Sequence, residues 1–164
     1  MSDLESFPPV AARDARVLVL GSMPGDASLR AQRYYAHPRN AFWPIMAEVV
    51  GFDVELPYER RLAALKRGGV ALWDVLRRCA RRGSLDSDIE KGSMQLQDFA
   101  AFFAEHRGLR AVLCNGGTSF RLFTRGVACA LPVEQLPSTS PAFAAMKFDA
   151  KLAAWRAQLA RHLG

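Results

Sequence analysis

The stretch "RVLVLGS", residues 16–22, runs through Val17, Leu18, Val19 and Leu20 without a polar interruption and stops at Gly21. A strand covered by helices on both faces reads this way, because neither side of it meets water. Two more segments repeat the pattern, "VALWDVL" at 70–76 and "RAVLCNGG" at 110–117, and a fourth strand is expected about "PVEQLP" at 132–137. Helices fit between them. One is expected from Ala41 or Pro44 to Val50, ending near Gly51, and one over "YERRLAALKR" at 58–67, stopped by Gly68 and Gly69. From Leu96, helical spacing links Leu96, Phe99, Ala100 and Phe103, and another helix is expected near residues 118–124. The last helix has a clear stripe of Phe148, Leu152, Trp155, Leu159 and Leu163, with Lys151, Arg156 and Arg161 off it. Alternating buried strands and amphipathic helices predict an α/β fold, a three-layer α/β/α sandwich around a parallel sheet.

The 164 residues suit one domain over 1–164, with no repeat and no linker. Half of the residues are hydrophobic and 23% are charged, with no apolar run long enough to span a bilayer and no signal pattern in "MSDLES". A soluble cytoplasmic protein is expected, working as a monomer. The formal charge of +6, with arginines gathered in "RRCARR" at 77–82 and recurring at Arg30, Arg33, Arg39, Arg121 and Arg125, fits either a polyanionic partner or solubilised helix faces. Cys79, Cys114 and Cys129 lack paired spacing, and His37, His106 and His162 stand apart, so no disulfide framework, metal site or cofactor is expected.

In an open parallel sheet, ligands bind beyond the C-terminal strand ends. Four chemically rich segments fall there. "GSMPG" at 21–25 fits a type II turn with Pro24 and Gly25 at its centre, and as a ligand loop it would bring backbone N–H groups and Ser28 forward. It lacks both the dinucleotide and the Walker fingerprints. In "YYAHPRNAFW" at 34–43, Asn40 can cap the next helix or meet a ligand, and Phe42 and Trp43 can be core. Adjacent Tyr34 and Tyr35 cannot both face one core, which leaves an aromatic face for stacking on a base. Asn115 in "LCNGG" is either a turn former or an amide able to read a base edge. "STSPA" at 138–142 is either a Ser-Pro loop or a hydroxyl clasp for phosphate. The long segment 23–40 reads as a loop, as does 81–93, where Ser84, Asp86, Ser87 and Asp88 could line a rim.

Taken in order, "LGSMPG", "YYAHPRNAFW", "LCNGG" and "LPSTSPA" resemble the uracil-DNA glycosylase superfamily over most of the chain. "AHPRNAFW" is similar to the mismatch-specific uracil/thymine branch, whereas the Met of "GSMPG" and the Ser-Thr-Ser-Pro loop resemble the hypoxanthine-DNA (deoxyinosine-DNA) glycosylase branch. The resemblance implies a central four-stranded parallel sheet and a pocket that receives one nucleotide extruded from DNA containing a deaminated base. It implies Tyr35 as the stacking aromatic, Asn115 as the base-reading amide, and Ser22 and Met23 against the base. Asn40 is the implied catalytic residue, orienting water or the departing base without ionising. The loop of Ser138, Thr139, Ser140, Pro141, Ala142 and Phe143 would be the minor-groove wedge, and Ser28, His37 and Arg39 would add DNA contacts.

Two departures stand out: Met23 occupies the place of a water-orienting acid or amide in most branches, and Ser138 stands where others carry His or Asn. With no lysine nucleophile evident, the expected reaction is simple hydrolysis of deoxyinosine, releasing hypoxanthine and leaving an abasic site. The alternatives are a uracil or G·T/G·U mismatch glycosylase of the same fold, or a damage-binding module without catalysis.

Overall fold

The computed structural model describes residues 2–164. Its strands are β1 (Ser2–Glu5), β2 (Val17–Gly21), β3 (Val70–Asp74), β4 (Leu76–Arg81), β5 (Gln95–Leu96), β6 (Ala111–Asn115) and β7 (Val133–Leu136). Its helices are α1 (Asp26–Ala31), α2 (Phe42–Met46), α3 (Tyr58–Arg67), α4 (Phe99–Glu105), α5 (Gly117–Gly126) and α6 (Phe148–Leu163). The main sheet has the order β3-β2-β6-β7 and every pairing in it is parallel. The three-layer expectation and the strand count both hold.

Alternation within β2 builds the layers. Val17 and Val19 join Phe42, Ile45, Leu65 and Trp155 on one face, under α2, α3 and α6. Leu18 and Leu20 join Phe99, Phe102 and Phe123 on the other, under α4 and α5. Both sides are sealed by hydrocarbon, which is why the strand carries no polar residue before its end. The free edge of β3 is covered at one point by Val10, whose N–H and C=O both bond Leu72.

The structure departs from the sequence expectations in seven places. The presumed loop 23–40 contains α1. "VALWDVL" is two strands, β3 and the start of β4, with a break at Val75. The Pro-containing lead supplies β1, which pairs antiparallel with β4 in a second sheet of order β1-β4-β5. The "RRCARR" cluster is therefore split. Arg77 and Arg78 are exposed and Arg81 is buried, because a register irregularity between Leu76 and Arg78 breaks simple alternation. Residues 81–93 hold two short 3₁₀ turns, Asp86–Asp88 and Lys91–Ser93. Helix α4 starts at Phe99, where the Asp98 carboxylate accepts the Ala101 N–H at 3.1 Å, and Leu96 belongs to β5. On α6, Lys151 is buried and Phe148 is exposed, the reverse of their expected places.

Trp155 anchors α6 to the sheet. It is fully buried, sits edge-on to Phe42, and its indole N–H donates to the Pro137 carbonyl at 2.9 Å, just before the loop that resembles the wedge. Trp155→Ala is expected to cost about 3–5 kcal/mol in a urea melt, the usual range for emptying an aromatic core site.

Candidate active site

A cleft of about 570 Å³ opens over the C-terminal ends of β2, β3 and β6. All four segments singled out in the sequence reach it: residues 21–28, Tyr34, Tyr35, His37 and Asn40, Asn115, and 138–143. Two contributions were not anticipated as site residues: Asp74 at the end of β3, and Leu85 of the 84–87 turn, whose Ser84, Asp86 and Ser87 do line the rim.

Gly21 decides what fits at the floor. It pairs with Asp74 in the parallel register, and a Cβ added there would lie 2.5 Å from Asp74 Oδ1 and 3.3 Å from the Tyr35 hydroxyl. Both polar groups occupy space that a side chain would claim. Asp74 is buried, and its Oδ2 has no hydrogen-bond partner; the same holds for the Tyr35 hydroxyl. Burial pushes the Asp74 carboxyl up to about 7, the nearby charge of Asp86 adds to the rise, and the Arg81 guanidinium opposes it. Burial and then the charge of Asp74 also raise the Tyr35 phenol, so it stays a neutral donor.

Arg81 lies behind this acid. Its side chain is fully buried, Nη2 is 3.4 Å from the half-exposed Asp26 carboxylate, and its Nε and Nη1 have no partners. Ser22, placed against the base by the sequence reading, donates its hydroxyl to Asp86 instead. Ser84 Oγ accepts the Asp26 N–H at 3.0 Å, so the 84–87 turn is tied to the glycine loop at two points. Asp88 turns away from the rim and accepts the Leu85 N–H at 3.2 Å. Met23 is buried against Leu76, Cys79 and Ile89 while one side lines the cleft, which accounts for an apolar residue there.

The two tyrosines diverge. Tyr34 enters the core and donates its hydroxyl to the Pro8 carbonyl at 2.8 Å. Tyr35 takes φ +56°, a left-handed conformation uncommon outside glycine. That turn lays its ring on Phe42, centroids 4.0 Å apart and planes 20° from parallel. Asn40 Oδ1 accepts the Phe42 N–H at 2.9 Å in a turn just ahead of α2, whose N-cap is Ala41 and not Asn40, and its Nδ2 makes no hydrogen bond among the described residues. A carboxamide oxygen has a second lone pair, so one acceptor direction and two donors remain.

Asn115 lies at the cleft, as the sequence places it, and also holds a loop. Its Nδ2 donates to Thr139 Oγ1 and its Oδ1 accepts the Thr139 N–H, both at 2.9 Å, which fixes the amide and leaves one N–H and one acceptor direction. The Thr139 carbonyl in turn accepts the Ala41 N–H at 3.0 Å, and Thr139 is buried rather than offered to DNA. Ser138 Oγ accepts the Ser140 N–H and Ser140 Oγ accepts the Ala142 N–H, at 3.1 and 3.2 Å, which shapes the loop and presents exposed Ala142 and Phe143 at its tip. Ser28 Oγ accepts the Ala36 N–H at 3.1 Å and is likewise internal. His37 Nδ1 accepts the Arg39 N–H at 3.1 Å, leaving the Arg39 side chain exposed beside the cleft mouth but not lining it. Among the described residues no three His, Cys, Asp or Glu side chains are grouped to hold a metal ion, and no helix is long and apolar enough to cross a membrane.

A three-layer sandwich with a mainly apolar cleft over its parallel strand ends, carrying a few convergent polar groups, is the layout of a ligand-binding α/β enzyme. Known proteins narrow the class. The family model for the uracil DNA glycosylase superfamily matches residues 8–163, and the chain belongs to that superfamily. It is 38% identical over 116 residues to a hypoxanthine DNA glycosylase of Methanosarcina barkeri, covering 70% of this chain and 72% of that one. It is 35% identical over 139 residues to a hypoxanthine DNA glycosylase of Methanosarcina acetivorans, covering 83% and 85%. A solution NMR structure of a Methanosarcina acetivorans protein described as a candidate uracil DNA glycosylase superposes with a TM-score of 0.84 at 32% identity, covering 99% of both chains.

The raised Asp74 pKa has a consequence for stability. Between the ordinary value of 3.8 and about 7 the folded state holds a proton that the unfolded state has released, so stability falls as pH rises through that window and levels off above it. Asp74→Asn carries no such loss. Its melting temperature should exceed that of the wild type at about pH 8, and the difference should shrink steadily toward pH 4.

Proposed function

We propose that the protein is a monofunctional DNA glycosylase, working as a single-domain monomer, that flips deoxyinosine out of DNA and hydrolyses its N-glycosidic bond to release hypoxanthine. The observation that carries this reading is the similarity, over most of both chains, to two hypoxanthine DNA glycosylases at 38% and 35% identity. The cleft supports it. A flipped purine would lie on the ring of Tyr35, which Phe42 backs from behind. Exposed Arg30, Arg33 and Arg39 border the loop that carries Tyr35 and would grip phosphates near the flipped nucleotide.

Asn40 is the residue assigned to the reacting centre. The Phe42 N–H fixes its carboxamide, so the remaining acceptor direction and the Nδ2 donors are held in place before substrate arrives. It aligns water or the departing base and does not itself take a proton. Cleavage of an N-glycosidic bond develops positive charge on the sugar, and the DNA phosphates favour that charge electrostatically. A damage-binding module without catalysis was suggested only by the lack of an acid at Met23. Asp74 reaches the same cleft from another strand and removes that reason.

Duplexes carrying deoxyinosine, deoxyuridine or a G·T mismatch, assayed side by side under single-turnover conditions, test the substrate. Deoxyinosine should give an alkali-labile abasic site fastest; dominant uracil release would shift the assignment to the uracil reading. Asn40→Ala should lower the deoxyinosine rate about 10²–10³-fold, the usual effect of removing one positioned transition-state hydrogen bond.

A further inference from the structure

The reading above leaves a buried acid without a task. Of the buried side-chain atoms that lack a partner among the described residues, only Asp74 Oδ2 and the Tyr35 hydroxyl belong to residues that line the cleft. Asp74 Oδ1 and the Tyr35 hydroxyl fill the point where a Gly21 side chain would stand, so the two side chains meet at the cleft floor. An orphaned carboxyl oxygen in a fold that otherwise satisfies its polar groups marks either strain or a contact completed by a ligand. Here the ligand would be a purine, and a purine raises a chemical need that the rest of the site does not meet. Met23 cannot activate water and Asn40 cannot give up a proton. Electrons from the breaking bond must therefore be drawn into the base.

We propose that Asp74 is the general acid of base excision and passes its proton to N7 of the departing hypoxanthine. This rests on the deoxyinosine reading. The C1′–N9 bond breaks, and its electron pair is retained by the imidazole ring. The Asp74 Oδ2 proton moves to N7, so the base leaves neutral as its N7–H tautomer. The sugar cation takes the oxygen of one water, and the proton shed by that water restores the Asp74 acid. The sum is deoxyinosine plus water giving hypoxanthine and an abasic site, with nothing else consumed.

The surroundings hold Asp74 in the form this step needs. From the 84–87 turn, Asp86 adds negative charge, and from β4 the buried Arg81 offsets part of it. From the loop after α1, Tyr34 and Tyr35 are raised phenols that remain neutral; from β6, burial pushes the Cys114 thiol up to about 12. β2 contributes only Gly21 at this point, with no side chain to donate to the carboxyl. With its own value at about 7, the carboxyl is protonated below neutral pH and half so at pH 7, poised to give its proton to a developing base.

The test is the single-turnover rate on a deoxyinosine duplex with enzyme in excess, measured from about pH 5.5 to 9. A parallel measurement follows binding of a duplex bearing uncleavable 2′-fluoro-deoxyinosine. For wild type, the rate should be flat at low pH and fall about tenfold per unit above the Asp74 titration. Asp74→Asn, which keeps the shape and an N–H donor, should lose about 10²–10⁴-fold in rate and lose the slope, while binding the uncleavable duplex as wild type does. A thermal melt confirms that this variant is folded. A flat or rising wild-type profile, a variant at wild-type rate, or a defect carried wholly in binding would each overturn the acid role. No cleavage of deoxyinosine by wild type at any pH would overturn the substrate reading, and the acid role with it.

Discussion

The site depends on a missing side chain. β2 runs through the middle of the sheet with four large apolar residues and ends on Gly21, opposite Asp74 in the parallel register. Any larger residue would drive a Cβ into the Asp74 carboxyl. Because it is glycine, the carboxyl and the Tyr35 hydroxyl can fill the end of the sheet, away from water and without partners. The backbone fixes this arrangement. The Gly21 carbonyl accepts the Val75 N–H at 2.8 Å and the Ser22 carbonyl accepts the Leu76 N–H at 3.1 Å, so the chain leaving the acid is pinned to the glycine turn as it enters β4.

A second constraint joins the loops around that floor. Thr139 binds Asn115 on β6 through two side-chain contacts and Ala41 through its carbonyl, so the 138–143 loop, the end of β6 and the start of α2 are coupled through one residue. Asn40 lies next to that junction and is itself fixed by the Phe42 N–H. Groups that must meet a transition state are more effective when they are ordered beforehand, since no reorganisation is then needed during reaction. The hydrogen bonds of Asn115, Thr139 and Ser28 order the loops around the cleft.

The layers and the four cleft segments were legible because their signals are local: apolar runs ending in glycine, helical stripes, and clusters of turn and aromatic residues. Tyr34 and Tyr35 were also readable as facing different ways, and the positive φ at Tyr35 is the means. What stayed hidden depends on contacts between distant segments. Asp74 sits within "VALWDVL", where the apolar run reads as strand and one acid reads as its boundary; only the pairing with Gly21 shows that it is buried beside a cleft. Arg81 was concealed in the same way. Its neighbours in "RRCARR" suggest a solvated face, and a register irregularity turns it inward. Asn115 reads correctly as a strand-end residue at the cleft, but its partner Thr139 is 24 residues away, and local sequence gives no sign of that tie.

In the proposed reaction the acid comes from the end of β3, and the environment of that acid is the central claim. Its direct test is the pH titration of the Asp74 side-chain carboxyl by carbon-13 NMR in the free protein, assigned with Asp74→Asn. The account predicts a midpoint near 7, as burial and Asp86 dictate. A midpoint in the ordinary aspartate range, about 4, would show a solvated or well-partnered carboxylate and contradict it.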